Sequence, residues 1–271
     1  MMGRLARIVA ALALAACASA ELPFDYLQSP ATSYRTNFPH VYEALLQRQG
    51  RSTGRVVEVG VASGINAQGA LDRASANIEQ LYLVDPTILP QLADRLKKWP
   101  MEFNATKVTM FKDTSLSAVH NIPDNSVDWI YIDGVHTYDS VRADCRAWWP
   151  KLKIGGLFSG HDYCSSRMDV RGQHSNVPWC GRYINGTRAG SEKQSQMGSY
   201  RAANEFARDY NLQVSYTLEG RFHNDREGDN NPSWYMFKTF QNTAAPPTKP
   251  RPQHAPPRPQ GRLRGRGAPA Y

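Results

Sequence analysis

Neither end of this sequence contains an acidic residue. The 271-residue chain has a net charge of +8, of which residues 1–20 carry two positive charges and residues 241–271 carry six. Residues 21–240 are neutral overall, with 24 basic and 24 acidic side chains. The body of the protein therefore lacks the net positive charge that is typical of nucleic-acid binding, and no specific nucleic-acid partner is expected.

Long apolar runs are also absent, since no segment approaches the roughly 18 residues of a membrane-spanning helix. The short run Ile8–Ala16 follows two arginines and precedes Ala18-Ser19-Ala20. This order is typical of a secretory signal peptide, which we predict at residues 1–20; an ordinary N-terminal helix is the alternative. The expected location is the secretory lumen or the extracellular space. In a bacterium the expected location would be the periplasm. Alternatively, the protein would be anchored there by a lipid on Cys17, because Leu14–Cys17 resembles a lipobox.

Cysteine is scarce and never occurs as a C-x-x-C pair, so a structural zinc site is not expected. The predicted mature chain keeps Cys145, Cys164 and Cys180. Cys164 and Cys180 flank a polar stretch and could form a disulfide in an oxidising compartment. Cys145 falls on a predicted helix among aromatic residues and is expected to be a buried thiol.

The composition separates a globular body from a polar tail. Hydrophobic residues make up 41% of the chain and charged residues 21%, which is ordinary for a globular protein. From Gln241 onward proline, arginine, glycine and alanine dominate, without apolar periodicity. Such a segment buries too little surface to offset its ordering entropy. We predict one domain at residues 21–240 and a disordered basic tail at residues 241–271.

Short apolar runs alternate with helix-length segments through the body. Strands are predicted at residues 55–59, 80–84, 107–111, 127–132, 157–159, 212–218 and 233–237. Helices are predicted at Tyr138–Trp149 and around residues 200–210, and Gly155-Gly156 is expected to turn the chain back toward the sheet. This alternation predicts an α/β domain with a mostly parallel sheet.

Acidic residues stand at or next to the ends of the first five predicted strands. They are Glu58, Asp85, Asp113, Asp133 and Asp162. Ligands bind at the carboxyl ends of the strands in open α/β sheets, so these side chains predict a binding site along one rim. The alternative for each aspartate is a turn-forming role.

A glycine-bearing turn follows the first predicted strand. In Glu58-x-Gly60-x-x-x-Gly64, Gly60 permits a sharp turn and Gly64 permits close approach of a ligand to a helix N-terminus. The third glycine of the dinucleotide fingerprint and a Tyr-x-x-x-Lys pair are missing, which disfavours a nicotinamide-dependent oxidoreductase. The pattern resembles motif I of class I S-adenosylmethionine-dependent methyltransferases. That resemblance implies S-adenosylmethionine as cofactor, with Asp85 at its ribose and Asp113 near its adenine.

A second pattern lies at the fourth and fifth predicted strands. Asp133-Gly-Val-His136-Thr-Tyr138 and Gly160-His161-Asp162-Tyr163 resemble the methyltransferase-24-type family over residues 38–163, and the likeness resumes at residues 197–212. Residues 164–196 look like an insertion. The resemblance implies a Rossmann-like class I methyltransferase sandwich, with a mostly parallel seven-stranded sheet and helices on both faces.

Related metal-dependent O-methyltransferases suggest roles for the acidic and histidine residues. On their template Asp133 and Asp162 would bind Mg²⁺ or another divalent cation, with His161 as a third ligand or as a loop hydrogen-bonding residue. His136 would be the general base, since an unperturbed imidazole titrates near neutral pH, or else a helix-capping or packing residue. Tyr163 replaces the asparagine of the catechol-type enzymes, and Val135 replaces an acidic residue of some sugar-type relatives.

These patterns together predict methyl transfer to a hydroxyl oxygen of a small-molecule or glycan acceptor. Asp133 and His136 are the predicted catalytic residues, and Glu58, Gly60, Gly64, Asp85 and Asp113 the predicted cofactor-binding residues. A secretory location favours glycans or secreted metabolites as acceptors. Besides the oxidoreductase, the alternative is a methyltransferase-like binding module that has lost catalysis.

Overall fold

A computed structural model describes residues 38–163, 198–217 and 232–240. The predicted signal peptide, the pairing of Cys164 with Cys180 and the predicted tail lie outside these residues. Within the described ranges, no helix is both long enough and apolar enough to cross a membrane.

The described strands form one seven-stranded sheet. They are β1 (Gly54–Val59), β2 (Ile78–Val84), β3 (Lys107–Phe111), β4 (Val127–Ile132), β5 (Leu152–Gly160), β6 (Ser215–Tyr216) and β7 (Trp234–Phe237). Their order across the sheet is β3-β2-β1-β4-β5-β7-β6. Strands β1 to β5 pair in parallel, while β7 is antiparallel to both β5 and β6. The predicted mostly parallel seven-stranded α/β sheet is confirmed.

Helices cover both faces of this sheet. They are α1 (Phe38–Arg48), α2 (Ile65–Ala74), α3 (Pro90–Glu102), α4 (Ser115–Ala118), α5 (Tyr138–Trp148) and α6 (Ser199–Asp209). Short 3₁₀ turns follow α2, α4 and α5 at Ser75–Asn77, Val119–Asn121 and Trp149–Lys151. Helices α1, α2 and α3 contribute to one apolar cluster, and α4, α5 and α6 to the other.

Alternate residues of the strands supply the two clusters, because successive side chains point to opposite faces of a sheet. In β1, Val56 packs in the cluster with α1, α2 and α3, and the next residue, Val57, packs in the cluster with α5 and α6. All six residues of β4 are buried, as expected for a central parallel strand. Cys145 is a buried free thiol in the second cluster, as predicted, and burial raises its pKa.

Strands β3 and β4 have the predicted bounds, whereas β5 begins earlier than predicted. Gly155-Gly156 lies inside β5 and does not turn the chain back toward the sheet. The register between β4 and β5 is irregular at this point, and Gly155 has a φ of +80°. Its N–H donates to the carbonyl oxygen of Lys238, 2.7 Å away. The glycines therefore form an irregularity within the strand, held by a residue distant in sequence.

A buried carboxylate fixes the sheet at the end opposite to the predicted site. The side chain of Asp128, 4% exposed, pairs with Arg51 and Lys153. It also accepts the backbone N–H of Arg55 at 2.8 Å. A Cβ on Gly54 would lie 2.6 Å from the Asp128 carboxylate, so this glycine makes room for it. Asp128 thus connects β1, β4 and β5 at their amino ends.

Replacing Asp128 by alanine should destabilise the fold strongly. The change leaves two cations without their carboxylate partner, and because both reach solvent we expect a loss of about 3 kcal/mol, at the low end for a buried ion pair. Urea unfolding measures it. Asp124→Ala is the matched control: Asp124 is 62% exposed and pairs with Lys151 at 2.7 Å, and its removal should cost less than about 1 kcal/mol. Equal losses in the two variants would contradict the role of Asp128.

Candidate functional site

Gly60 joins the two halves of the candidate site. It follows β1 with a φ of +83°, and a Cβ there would lie 2.1 Å from the carbonyl oxygen of Asp133. Gly60 N–H donates to Val84 at 2.8 Å, and Asp133 N–H donates to Val59 at 2.7 Å. The turn after β1 is thus packed directly on the end of β4, where only glycine combines this backbone angle with this approach.

Gly64 ends the same turn and begins α2. Its φ is +82°, and a Cβ there would lie 3.0 Å from Leu92, 3.1 Å from Arg95 and 3.3 Å from Trp99. Among the residues that the structure describes, no side chain caps the N-terminus of α2. The first N–H groups of a helix lack partners within the helix and carry partial positive charge, so this end suits an anionic group such as a carboxylate.

Asp85, the predicted ribose ligand, shapes this turn. Its Oδ2 accepts the backbone N–H groups of Val61 and Ala62 at 2.9 and 3.0 Å, and its Oδ1 accepts that of Thr87 at 2.8 Å. A carboxylate has about four acceptor positions, so one further hydrogen bond is possible. The end of β2 is thereby tied to the turn after β1. The ribose role itself stays a prediction.

The remaining two predicted cofactor residues differ in exposure. Glu58 is only 3% exposed and lies in the middle of the sheet, opposite Leu83 of β2 and Tyr131 of β4. Asp113 is partly exposed after β3. Its carboxylate accepts the N–H of Thr114 and the hydroxyl of Ser117, both at 2.7 Å, and so stabilises the start of α4. The adenine role of Asp113 stays a prediction.

Hydrogen bonds of Ser115, which the sequence did not predict, connect the start of α4 to α5 and so to the residues that follow β4. Trp148 Nε1 donates to Ser115 Oγ at 2.8 Å, so the Ser115 hydroxyl proton is available to the buried Asp144 carboxylate, with which it hydrogen-bonds. Burial raises the pKa of Asp144, and the Ser115 hydrogen bond opposes that rise. Asp144 also lies beside Gly134. In the sequence, Asp144 and Trp148 are four residues apart and therefore lie on one face of the predicted helix, which is the pattern that could have indicated this connection.

The structure brings the four acceptor-side residues into one cluster. His136 Nδ1 lies 3.2 Å from Asp162 Oδ2, and His161 Nδ1 lies 3.4 Å from Asp162 Oδ1 and 3.5 Å from Asp133 Oδ1. The side chain of His136 is 39% exposed, whereas those of Asp162 and His161 are 5% and 1% exposed. The helix cap of α5 is Thr137, whose hydroxyl accepts the N–H of Ser140, so His136 does not cap this helix.

Asp162 adopts an uncommon backbone conformation, with a φ of +55°. Aspartate tolerates the left-handed region better than most residues. The following residue, Tyr163, donates its N–H to Pro232 at 2.8 Å and is buried. Its ring packs against Tyr200 and stacks on Tyr216, and Asn204 donates to its hydroxyl at 2.8 Å. Tyr163, where the catechol-type relatives have asparagine, therefore anchors the chain beyond Asp162.

The predicted metal ligands Asp133, Asp162 and His161 lie close together. His161 is between the two carboxylates, and its Nδ1 is near both of them. In the part of the chain that the structure describes, no group of three or more histidine, cysteine or acidic side chains is placed to hold a metal ion. The distances describe a cluster of histidines and carboxylates and do not establish a cation site. Metal dependence stays a prediction from the sequence.

A family model matches part of this chain. Residues 57–163 match the methyltransferase-24 family model, described as a methyltransferase domain. No curated protein matches the chain. The match covers about two fifths of the chain, and it makes these residues similar to a class I methyltransferase domain, a family whose cofactor is S-adenosylmethionine.

Solved structures resemble the chain at low sequence identity. A protein from Corynebacterium glutamicum is 17% identical, with 83% of this chain and 90% of that chain covered and a TM-score of 0.48. An O-methyltransferase family protein from Burkholderia thailandensis is 15% identical, with coverages of 76% and 59% and a TM-score of 0.47. A precorrin-6y C5,15-methyltransferase from Geobacter metallireducens is 15% identical, with coverages of 74% and 88% and a TM-score of 0.43. Likenesses at this level say nothing about the acceptor.

Gly60→Ala should weaken cofactor binding. The new Cβ meets main-chain atoms of Asp133 that cannot rotate away, so the turn must move. We expect at least about a tenfold higher Kd for S-adenosylmethionine, the effect of about 1.4 kcal/mol, measured by calorimetry. Gly134→Ala is the matched control, since a Cβ there would meet nothing closer than 3.7 Å. Wild-type affinity in Gly60→Ala would contradict this account of the turn.

Proposed function

We propose that this protein transfers a methyl group from S-adenosylmethionine to a hydroxyl oxygen of its acceptor, with His136 as the general base. The observation that carries the proposal is the contact of His136 Nδ1 with Asp162 at 3.2 Å, made by a partly exposed imidazole and a buried carboxylate. The pair lies at the rim where Gly60 contacts Asp133, next to the turn expected to bind the cofactor.

We take the His136 ring to carry its proton on Nδ1, which lies 3.2 Å from Asp162 Oδ2. A carboxylate accepts a hydrogen bond from Nδ1–H, which leaves Nε2 unprotonated and able to accept a proton. Asp162 thereby orients the imidazole and stabilises the imidazolium formed after proton transfer. His161, buried between Asp133 and Asp162, orients both carboxylates. The cluster thus contains one exposed histidine for proton transfer and one buried histidine for support.

The proposed reaction balances as a simple substitution. When bound, the cofactor supplies a methyl group already activated by its sulfonium sulfur. The acceptor oxygen forms the new bond to that methyl carbon, and the electron pair of the broken sulfur–carbon bond stays on sulfur as S-adenosylhomocysteine. The acceptor proton goes to His136 Nε2. The residues of the chain therefore need to position two reactants and take up one proton.

We further propose a glycan or a secreted small molecule as the acceptor. This part rests on the predicted signal peptide at residues 1–20, which would place the protein in the secretory pathway. A screen of glycan and phenolic acceptors with methyl-labelled S-adenosylmethionine tests it. Transfer of label to a glycan or small-molecule hydroxyl supports the proposal, and transfer only to nitrogen would contradict it.

His136→Gln should lower kcat by about 100-fold or more, because the general base is lost. The Kd for S-adenosylmethionine should stay at the wild-type value, since His136 belongs to the acceptor side. Asp133→Ala should likewise lose turnover while it keeps cofactor binding. His120→Gln is the control, because His120 is exposed in the 3₁₀ turn after α4. Full activity of His136→Gln would refute the assigned base.

A chelator distinguishes proton transfer by His136 alone from metal assistance. If His136 alone takes up the proton, kcat should be retained in excess EDTA. Loss of turnover that added Mg²⁺ restores would show that Asp133, Asp162 and His161 bind a catalytic metal. Asp162→Asn, assayed with and without Mg²⁺, would then identify the ligand, since the amide oxygen binds the cation less strongly.

A further inference from the structure

Gly198 holds the main chain of His136. Its backbone N–H donates to the His136 carbonyl oxygen at 2.8 Å. The imidazole Nδ1 of the same residue lies 3.2 Å from Asp162 Oδ2. His136 is thus fixed at two points by residues distant from it in the sequence, one on the main chain and one on the side chain.

No side chain fits at position 198. A Cβ there would lie 2.3 Å from the backbone nitrogen of Tyr138 and 2.4 Å from its Cα. Both are main-chain atoms two residues beyond His136, so rotation of a side chain cannot relieve the overlap. The φ of Gly198 is −132°, which any residue adopts. Glycine is therefore required here for the close approach of two backbones.

Helix α6 begins directly after Gly198 and is tied to α5 by a charged and aromatic network. Glu205 contacts the Tyr138 hydroxyl and Arg142, with the latter at 3.1 Å. The guanidinium of Arg201 lies over the Tyr138 ring, 4.4 Å from its centroid. Burial, followed by the hydrogen bond with Glu205, raises the pKa of Tyr138. This network fixes the start of α6 against the segment that carries His136.

We propose that Gly198 is a positioning residue for His136 and that it acts through the carbonyl contact and the close packing on Tyr138. The proposal rests on the proposed function of His136 as the general base. A side chain at position 198 would push the His136–Tyr138 segment away from α6. The imidazole would then leave the position in which its Nε2 faces the acceptor, while the cofactor side of the rim stays intact.

Gly198→Ala tests this directly. Misplacement by about 1 Å can cost about 100-fold in rate, so we expect a loss of kcat of that order with an unchanged Kd for S-adenosylmethionine. Gly69→Ala is the matched control: in α2, a Cβ at position 69 meets only the mobile end of the Arg73 side chain, at 3.2 Å. Wild-type kcat in Gly198→Ala would overturn the proposal.

A second comparison separates positioning from general damage. If Gly198 acts through His136, Gly198→Ala should cause no further loss of kcat in a His136→Gln background, because coupled residues are not additive. An equal loss in both backgrounds would overturn the proposal. Should Gly198→Ala fail to fold, Glu205→Gln loosens the same packing without a clash. The same dependence on His136 is expected of it, and its absence would again overturn the proposal.

The ¹⁵N chemical shifts of the His136 ring give a readout that does not depend on turnover. They are assigned by their loss in His136→Gln and should move in Gly198→Ala but not in Gly69→Ala. Unchanged shifts would overturn the positioning role even if activity fell. Shifted signals in a protein that methylates no acceptor would instead support positioning and contradict the proposed function.

Discussion

The candidate site depends on the contact between the turn after β1 and the end of β4. Gly60 and the carbonyl of Asp133 are so close that no side chain fits between them. Hydrogen bonds from Gly60 to Val84 and from Asp133 to Val59 join β2, β1 and β4 at the same level. The turn after β1 and the end of β4 are therefore parts of one edge, and a displacement at the Gly60–Asp133 contact would affect both.

Short-range patterns explain why much of this could be predicted from the sequence. A buried parallel strand is a short β-branched or aromatic run, so β3 and β4 were predicted with their observed bounds. That the acidic residues after the parallel strands lie along one rim follows from the sheet geometry alone. Hydrogen-bond partners distant in sequence could not be read in this way. The pair Gly155-Gly156 is typical of a turn, but in the structure it lies inside β5, where Gly155 hydrogen-bonds to Lys238.

The same limit applies to the predicted site residues. Asp85 and Asp113 were placed at the rim by their position after a strand, but their contacts to backbone N–H groups and to Ser117 depend on the turns they stabilise. The sequence likewise could not show that His136 is partly exposed and His161 buried, because each histidine follows a strand in a short motif with an aspartate and a glycine. Only burial separates His136, which we propose meets the acceptor, from His161, which we propose supports it.

The anchored chain on either side of residues 164–197 has a consequence for stability. Tyr163, just before them, packs on Tyr200 and bonds to Asn204, just after them. The two ends of this stretch are thus already held together by the sheet and α6. The entropic cost of closing a connection grows only logarithmically, by about 0.6 kcal/mol per doubling of its length. A change in the length of this stretch should therefore cost little stability and leave the residues of the rim unchanged.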